Sequence, residues 1–251
     1  MSLPPTLVVN PHAGDSARAF HRASSLVDDR ADALADRRDT AVDGGPPVLL
    51  PSVDADAEAT LERSIVTRRT RRDFDARQWL TLHQLARLLV FGAGRTATSE
   101  PGAWSPPAGH RAVPSAGASY AVGVHVFVRR VAGLSRGVYA YDVDRHALRR
   151  DAGGVDDRAL VHATLDQPWM TGAAAMFALV GTLDRIAPRY ASRGYRYMLF
   201  EAGHIAQNLY LLGAAHGLCV QATGGFIDAA VAGLLGLPAG RDPLYLLAVG
   251  P

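Results

Sequence analysis

A helical periodicity over residues 195–216 is the feature that most constrains the fold of this chain. Apolar side chains recur there at intervals of three and four residues, as on one face of an α-helix. They are Met198, Leu199, Ala202, Ile205, Ala206, Leu209 and Leu212. Gly217 follows at a position where glycine commonly ends a helix. The pattern predicts the longest helix of the chain, which any architecture has to accommodate.

Strand patterns lie on both sides of this helix along the chain. Residues 123–131 alternate between two faces and predict a half-buried strand, with residues 138–141 as its hairpin partner. The continuous apolar run over residues 176–180 predicts a central strand. Further predicted elements are helices over residues 54–65, 82–91 and 229–235 and short strands over residues 219–222 and 245–249. Because helices and strands mix without a strict βα repeat, we expect an α+β fold.

The first fifty residues differ in composition from the rest. They are rich in Ala, Asp, Arg, Pro and Gly, and residues 17–38 predict a polar helix with only a thin apolar face. The sequence Gly-Gly-Pro-Pro at residues 44–47 breaks regular structure. We therefore expect an N-terminal extension and linker over residues 1–53 and one folded domain over residues 54–251.

Composition and charge exclude several classes of protein. Hydrophobic residues make up 48% of the chain, which is typical of a globular domain, and no apolar run reaches the roughly 20 residues of a membrane span. The N-terminus lacks the basic and apolar regions of a secretory signal, and Cys219 is the single cysteine. The expectation is a cytoplasmic protein without disulfides, bound to no membrane.

All 26 basic residues are arginines, because the sequence contains no lysine. A lysine Schiff base, a P-loop lysine and a catalytic lysine are therefore excluded. The net charge of +2 arises from arginines spread along the chain, which is not the pattern of a nucleic-acid-binding stripe. The nine histidines are scattered without metal-binding spacing, so we expect no metal site.

One dense cluster of arginines stands out, in the sequence Arg-Arg-Thr-Arg-Arg-Asp-Phe at residues 68–74. Arg68, Arg69, Arg71 and Arg72 repel one another, so such a cluster lies on a solvated face or surrounds an anion. Guanidinium groups match phosphate oxygens bidentately, and Thr70 adds a hydroxyl donor. Both interpretations remain open from composition alone.

Two small-residue segments precede or follow predicted strands. Residues 113–120, Val-Pro-Ser-Ala-Gly-Ala-Ser-Tyr, stand directly before the first strand, and residues 223–226, Thr-Gly-Gly-Phe, follow a later one. Small residues allow the backbone to approach a planar or phosphorylated ligand closely. Each segment also fits an ordinary tight turn.

The order of these three segments resembles the FMN-binding nitroreductase superfamily. The resemblance is closer to one branch, the SagB-type dehydrogenases and McbC-like azoline oxidases. The segments that carry it are Phe20-His21, Leu50-Pro51, the arginine cluster, residues 114–118, the Gly-Val-Tyr-Ala-Tyr-Asp of residues 137–142, and the helix region from Tyr190 to Leu209. It covers about residues 17–250.

The resemblance implies an α+β domain with a mixed sheet flanked by helices, and a homodimer with FMN at its interface. The implied cofactor contacts are Arg68, Arg69, Thr70, Arg72, Pro114, Ser115, Ala116, Gly117, Gln167, Gly224 and Gly225. Of these, residues 115–117 are expected to come from the other subunit.

In that branch the flavin oxidises a thiazoline or oxazoline of a peptide to the aromatic ring, and a Lys-Tyr pair assists proton removal. The matching catalytic positions here are Arg189 and Tyr190. An arginine is effectively always protonated and cannot act as a base. Either Tyr190 works with Arg189 as an electrostatic partner, or the substrate is not an azoline.

Three functions follow from the resemblance. The first is an FMN-dependent dehydrogenase of a peptide azoline in natural-product biosynthesis, with a cyclodehydratase as a possible upstream partner. The second is a nicotinamide-dependent reductase of nitro or quinone compounds. The third is a non-catalytic subunit that supports a biosynthetic complex.

Overall fold

The structure is a computed structural model that describes residue 20 and residues 60–97, 109–152 and 156–251. The predicted N-terminal helix, apart from Phe20, and the linker over residues 44–51 lie outside the described residues. Phe20 is helical, and its ring packs edge-to-face on Tyr195 with 5.4 Å between the ring centroids.

A six-stranded sheet forms the centre of the domain. Its strands, in chain order, are β3 (Val122–Val128), β4 (Gly137–Asp142), β5 (Ala147–Ala152), β6 (Ala175–Thr182), β7 (Cys219–Thr223) and β8 (Arg241–Gly250). Their order across the sheet is β5-β4-β3-β6-β8-β7. Two short strands, β1 (Arg95–Ala97) and β2 (His110–Arg111), pair separately.

Every neighbouring pair in the six-stranded sheet is antiparallel, so the mixed strand directions that we expected are not present there. Strands β3, β4 and β5 form a meander with short connections, as antiparallel neighbours allow. The long crossover from β6 to β7 joins strands of the same direction, but β8 lies between them and pairs antiparallel with both.

Six α-helices surround this sheet in the described residues. They are α1 (Thr60–Thr67), α2 (Leu82–Ala93), α3 (Asp157–Ala163), α4 (Ala187–Tyr190), α5 (Arg193–Ala215) and α6 (Asp228–Leu235). The predicted long helix is confirmed as α5, and Gly217 takes a positive φ of 67° just beyond it. Helix α2 begins with a capping box, in which Thr81 and Gln84 satisfy each other's backbone N–H groups. No helix among the described residues combines the length and apolar character needed to cross a bilayer.

The core lies on both faces of the sheet. One cluster joins the even-numbered residues of β3 to α2 and α5, and a second joins Phe127 and Met176 to Leu160 of α3 and Val231 of α6. The α+β class and the central position of β6 are confirmed. The prediction of a half-buried β3 is wrong, because helices cover both faces and only Gly123 of the strand is exposed.

A close contact between α5 and β7 requires a glycine at position 213. A Cβ atom at Gly213 would lie 2.4 Å from Cγ2 of Val220, well inside contact distance. We expect Gly213→Ala to lower the free energy of unfolding by about 1–3 kcal/mol through overpacking. Urea denaturation measures the change.

The matched control for this prediction is Gly233→Ala on the exposed side of α6, where a Cβ atom would meet no other atom within 4 Å. Alanine there should raise stability by about 0.5–1 kcal/mol, because glycine is a poor helix former. Equal effects of the two substitutions would contradict the packing argument.

Candidate functional site

The arginine segment places alternate side chains on one side. The Arg68 guanidinium lies over the ring of Tyr210, 5.3 Å from its centroid, and Oγ1 of Thr70 is 3.4 Å from the Tyr210 hydroxyl. The Arg72 guanidinium lies over the ring of Trp169 at 5.6 Å. Arg68 and Thr70 therefore both contact Tyr210, and Arg72 lies against Trp169.

The intervening arginines are engaged elsewhere. Arg69 donates to the carbonyl oxygens of Val66 and Arg68, at 2.9 and 2.7 Å. Arg71 forms an ion pair with Asp73 at 2.8 Å. In contrast, no carboxylate in the described parts of the chain forms an ion pair with Arg68 or Arg72. These two guanidinium groups are therefore available to an anion.

Hydrogen bonds connect this surface to the Gly-Gly turn after β7. The Tyr210 hydroxyl accepts from the backbone N–H of Ala222 at 2.8 Å, and Nε2 of Gln167 donates to the Gly225 carbonyl at 3.3 Å. A Cβ atom at Gly224 would meet nothing within 4 Å, so open space adjoins the backbone there. We call Arg68, Thr70, Arg72, Gln167, Gly224 and Gly225 the arginine face.

A second group forms around the segment before β3. Residues Ala116–Ala118 make one 3₁₀ turn in which Gly117 has a φ of 55°. A Cβ atom at Gly117 would lie 2.6 Å from both Nη1 of Arg189 and the Tyr190 hydroxyl oxygen. The positive φ favours glycine at this position, and the two predicted catalytic residues meet the predicted flavin-binding segment. We call Pro114, Ser115, Ala116, Gly117, Arg189 and Tyr190 the serine face.

Buried Glu201 holds the serine face to the sheet. Its carboxylate accepts from Oγ of Ser115 at 2.5 Å and from the N–H of Val122 at 3.1 Å. Ser115 in turn accepts from the N–H of Tyr120 at 2.8 Å. Burial raises the pKa of Glu201, although both hydrogen bonds oppose the shift. No role for Glu201 was predicted, since an acidic residue on a long helix usually faces solvent.

Aromatic rings of α5 extend the serine face. Tyr190 packs edge-to-face on Tyr197, with 5.0 Å between the centroids, and the Arg189 guanidinium lies 5.5 Å from the Tyr190 ring. A cleft of about 260 Å³ opens beside them, lined by Pro114, Ser115, Ala116, Tyr197, Phe200, Glu201 and His204. This cleft gives a flat group access to the Ser115 segment.

The two faces lie on opposite sides of α5. Glu201, which anchors the serine face, and Tyr210, which anchors the arginine face, are nine residues apart on the helix. That separation corresponds to about 14 Å along the axis and two and a half turns. The chain thus gathers the predicted site residues into two groups rather than one.

Cys219 belongs to neither face. Cys219 is buried in β7 with its Sγ 3.8 Å from the Asp73 carbonyl oxygen, as expected for a core residue. Burial raises the pKa of its thiol, which opposes thiolate formation. The described residues contain no group of three or more His, Cys, Asp or Glu side chains that could hold a metal ion.

Replacement of Glu201 should destabilise the domain. Glu201→Ala leaves the Val122 N–H and the Ser115 hydroxyl without their acceptor in a buried site, so we expect the free energy of unfolding to fall by about 2–4 kcal/mol. Glu201→Gln keeps the shape and one acceptor and should cost much less. Urea denaturation of both variants measures the difference.

The pH dependence of stability provides a second readout. Because the pKa of Glu201 is raised in the folded state, the folded protein binds more protons than the unfolded one above the ordinary value of about 4.3. This group should therefore lower stability as pH rises from that value through the raised pKa. Glu201→Gln should remove that part of the slope, and identical slopes in the two proteins would contradict the assignment.

Comparison with known proteins shows the family to which the chain belongs. Residues 65–251 match the model of the nitroreductase family. A candidate nitroreductase of Methanocaldococcus jannaschii is 32% identical over 203 residues, which cover 81% of this chain and 95% of that protein. The trifolitoxin-processing protein TfxB of Rhizobium leguminosarum bv. trifolii is 33% identical over 144 residues, which cover 55% of this chain but only 38% of TfxB.

The fold is also similar to that of a chain in a solved assembly. In the E. coli microcin synthetase complex McbBCD, solved with truncated pro-MccB17 bound, a chain superposes with a TM-score of 0.63 at 19% identity. The match covers 97% of this chain and 94% of that one. With three quarters of its length matched by the family model, the chain belongs to the nitroreductase family.

Proposed function

We propose that the protein is an FMN-dependent oxidoreductase whose active site forms between two copies of the chain. The observation that carries the proposal is the separation of the arginine face from the serine face across α5. A two-fold dimer repeats each contact, so the arginine face of one protomer can meet the serine face of its partner. The dimer then contains two complete sites, each with one arginine face and one serine face.

Exposed apolar side chains support association of two copies. On α1, Leu61 and Ile65 share one side of the helix and are 63% and 53% exposed, and Phe200 on α5 is 54% exposed. Clustered apolar residues on a protein surface are characteristic of interaction sites. Phe200 also lines the cleft of the serine face, so this exposed ring adjoins the proposed site.

The arginine face has the chemistry that the phosphate end of FMN requires. Arg68 and Arg72 present guanidinium groups with no carboxylate partner in the described residues, and Thr70 adds a hydroxyl. The open space at Gly224 suits the edge of a planar ring. Gln167 fixes the turn by its hydrogen bond to Gly225. These residues would hold the cofactor, with the Ser115 segment of the partner against its other side.

We infer that the substrate is an azoline within a peptide. The support is the set of segments shared with the azoline-oxidase branch, together with the 33% identity to a protein named for toxin processing. Bound FMN would supply the acceptor for the hydride that the ring carbon loses. The second hydrogen leaves as a proton, and Tyr190, whose hydroxyl lies against Gly117, is placed to relay it. Arg189 stabilises negative charge on that hydroxyl oxygen.

A synthetic peptide that carries one thiazoline tests the proposal. Purified protein with FMN in air should lower the peptide mass by two hydrogens, with oxygen as the final electron acceptor, as measured by mass spectrometry. A colourless protein that does not retain added FMN would exclude the cofactor, and a flavin-loaded protein that leaves the peptide unchanged would exclude the substrate.

The second candidate function is reduction of nitro or quinone compounds with NADPH. It is favoured by the relative from M. jannaschii, which is named as a candidate nitroreductase and matched over 95% of its length. Rapid bleaching of the flavin absorbance by NADPH, followed by reduction of a nitroarene, would support it. A flavin-loaded protein that is inactive in both assays would point instead to a supporting subunit.

A further inference from the structure

An opening between β3 and β4 lies apart from both faces of the proposed flavin site. Strand β3 begins at Val122, but its ladder to β4 starts only at His125, opposite Ala140. The strands diverge beyond that pair and leave a cleft of about 290 Å³. One water occupies roughly 30 Å³ in the liquid, so the cleft has room for a small organic anion.

Positive charge dominates the lining of this cleft. Four arginines and two aspartates line it, namely Arg111, Arg149, Arg185, Arg241, Asp142 and Asp144. Both carboxylates are already engaged by arginines that do not line the cleft, since Asp142 pairs with Arg145 at 3.5 Å and Asp144 pairs with Arg95. Among the described residues, Arg111, Arg185 and Arg241 form no ion pair with a carboxylate, so these three contribute an excess of positive charge to the cleft.

Arg111 is the most informative member of the set. Its guanidinium stacks on the ring of Tyr120, 4.4 Å from the centroid. Its Nε is buried and has no hydrogen-bond partner among the described residues. Burial and the neighbouring charge of Arg185 both lower the pKa of Arg111. A half-buried cation beside a second cation is costly, and an anion in the cleft would offset that cost.

We propose that this cleft is an oxyanion-binding site for a small molecule that carries a phosphate ester or a carboxylate. Arg111 lies at its inner wall, Arg185 and Arg241 at its exposed rim, and the Thr182 hydroxyl adds a neutral donor. Guanidinium groups bind both kinds of oxyanion bidentately. The proposal depends neither on FMN nor on the azoline substrate, because none of these residues belongs to the arginine face or the serine face.

Two hydrogen bonds of Tyr120 nevertheless connect the cleft to the serine face. The Tyr120 hydroxyl accepts from the backbone N–H of Arg111 at 3.3 Å, and the Tyr120 N–H donates to Oγ of Ser115 at 2.8 Å. An anion on Arg111 would therefore sit two hydrogen bonds from the segment that contacts the flavin in our proposal.

Isothermal titration with sodium pyrophosphate and with sodium citrate, each at low and constant ionic strength, tests the site. In Arg68→Gln/Arg72→Gln, which removes the anion-binding guanidinium groups of the arginine face, we expect saturable binding of one anion per chain, weakened by at least about tenfold when Arg111→Gln and Arg241→Gln are added. The exposed single variant Arg241→Gln should weaken binding without affecting the melting temperature. Tighter binding of pyrophosphate indicates a phosphate ester, and tighter binding of citrate indicates a carboxylate.

Two controls separate this cleft from other basic surfaces. Arg158→Gln, an exposed arginine of α3 that does not line the cleft, should bind both anions as the wild type does. The double variant Arg68→Gln/Arg72→Gln should retain this one site, whereas the wild type should bind a second anion on its arginine face. Binding lost only in that double variant would assign the anion to the arginine face and overturn the proposal, as would the absence of saturable binding of either anion or an equal loss in Arg158→Gln.

Discussion

Replacing Arg68 and Arg72 together by glutamine is expected to weaken FMN binding by about 10² to 10⁴-fold, so that the protein is purified without flavin colour. Hydrogen bonds to a charged group contribute about 1.5–3 kcal/mol each, and the phosphate would lose two charged partners at once. Both guanidinium groups rest on aromatic rings, Tyr210 and Trp169, which hold them in place before a ligand arrives. The dissociation constant follows from fluorescence titration of the apoprotein with FMN.

The matched control is Arg69→Gln/Arg71→Gln, which removes the same charge from the same segment. Arg69 donates to backbone carbonyls of its own helix end and Arg71 pairs with Asp73, so both guanidinium groups already have partners. We expect the dissociation constant for FMN in this variant to stay within about fivefold of the wild-type value. Surface charges that do not contact the ligand act on it only through solvent and salt, which screen them strongly. Equal loss of FMN in both double variants would show that the cluster acts through its summed charge rather than through alternate residues.

Helices with strong periodicity could be predicted from the sequence nearly to their ends. Helix α5 was expected over residues 195–216 and spans Arg193–Ala215, because its apolar stripe and the following glycine mark both its face and its end. Strand β8 was expected over residues 245–249 and spans Arg241–Gly250. Its first residues are polar and include Pro243, which hides the strand from a search for apolar runs.

Burial of β3 could not be predicted because alternation describes only the strand itself. His125 and Phe127 lie on the face covered by a second helical layer, and both are buried. Whether a second layer exists depends on contacts with segments more than thirty residues away. Sequence patterns of a single strand contain no information on such contacts.

The site residues were found in the sequence, but their arrangement was not. The motifs gave the order of the arginine, serine and Gly-Gly segments along the chain, and order does not define distance. The division into two faces appears only when α5 separates them. In an extended chain, successive side chains point to opposite sides. This period alone would have separated Arg68, Thr70 and Arg72 from Arg69. The contact of Arg69 with FMN that the resemblance implies is untested, and a large loss of FMN affinity in Arg69→Gln/Arg71→Gln would support it against our expectation.

Tyr190→Phe is expected to lower the rate of thiazoline oxidation by about 10²-fold or more while FMN content stays unchanged. General acid–base groups contribute about 10² to 10⁴-fold, and phenylalanine removes only the hydroxyl. The ring itself should stay in place, because it packs on Tyr197 and under the Arg189 guanidinium. Single-turnover flavin reduction by the peptide, followed by absorbance under anaerobic conditions, isolates the step.

Arg189 stands where the Lys-Tyr pair of the similar enzymes has its lysine, and its role is tested separately from that of Tyr190. Since its charge is permanent, Arg189→Gln should slow flavin reduction, because the Tyr190 hydroxyl loses the neighbouring cation that favours negative charge in the transition state. Arg189→Lys should restore part of the rate. If Tyr190→Phe oxidises the peptide at the wild-type rate, proton transfer does not pass through this residue, and a wild-type rate of flavin reduction in Arg189→Gln would remove the electrostatic role of Arg189.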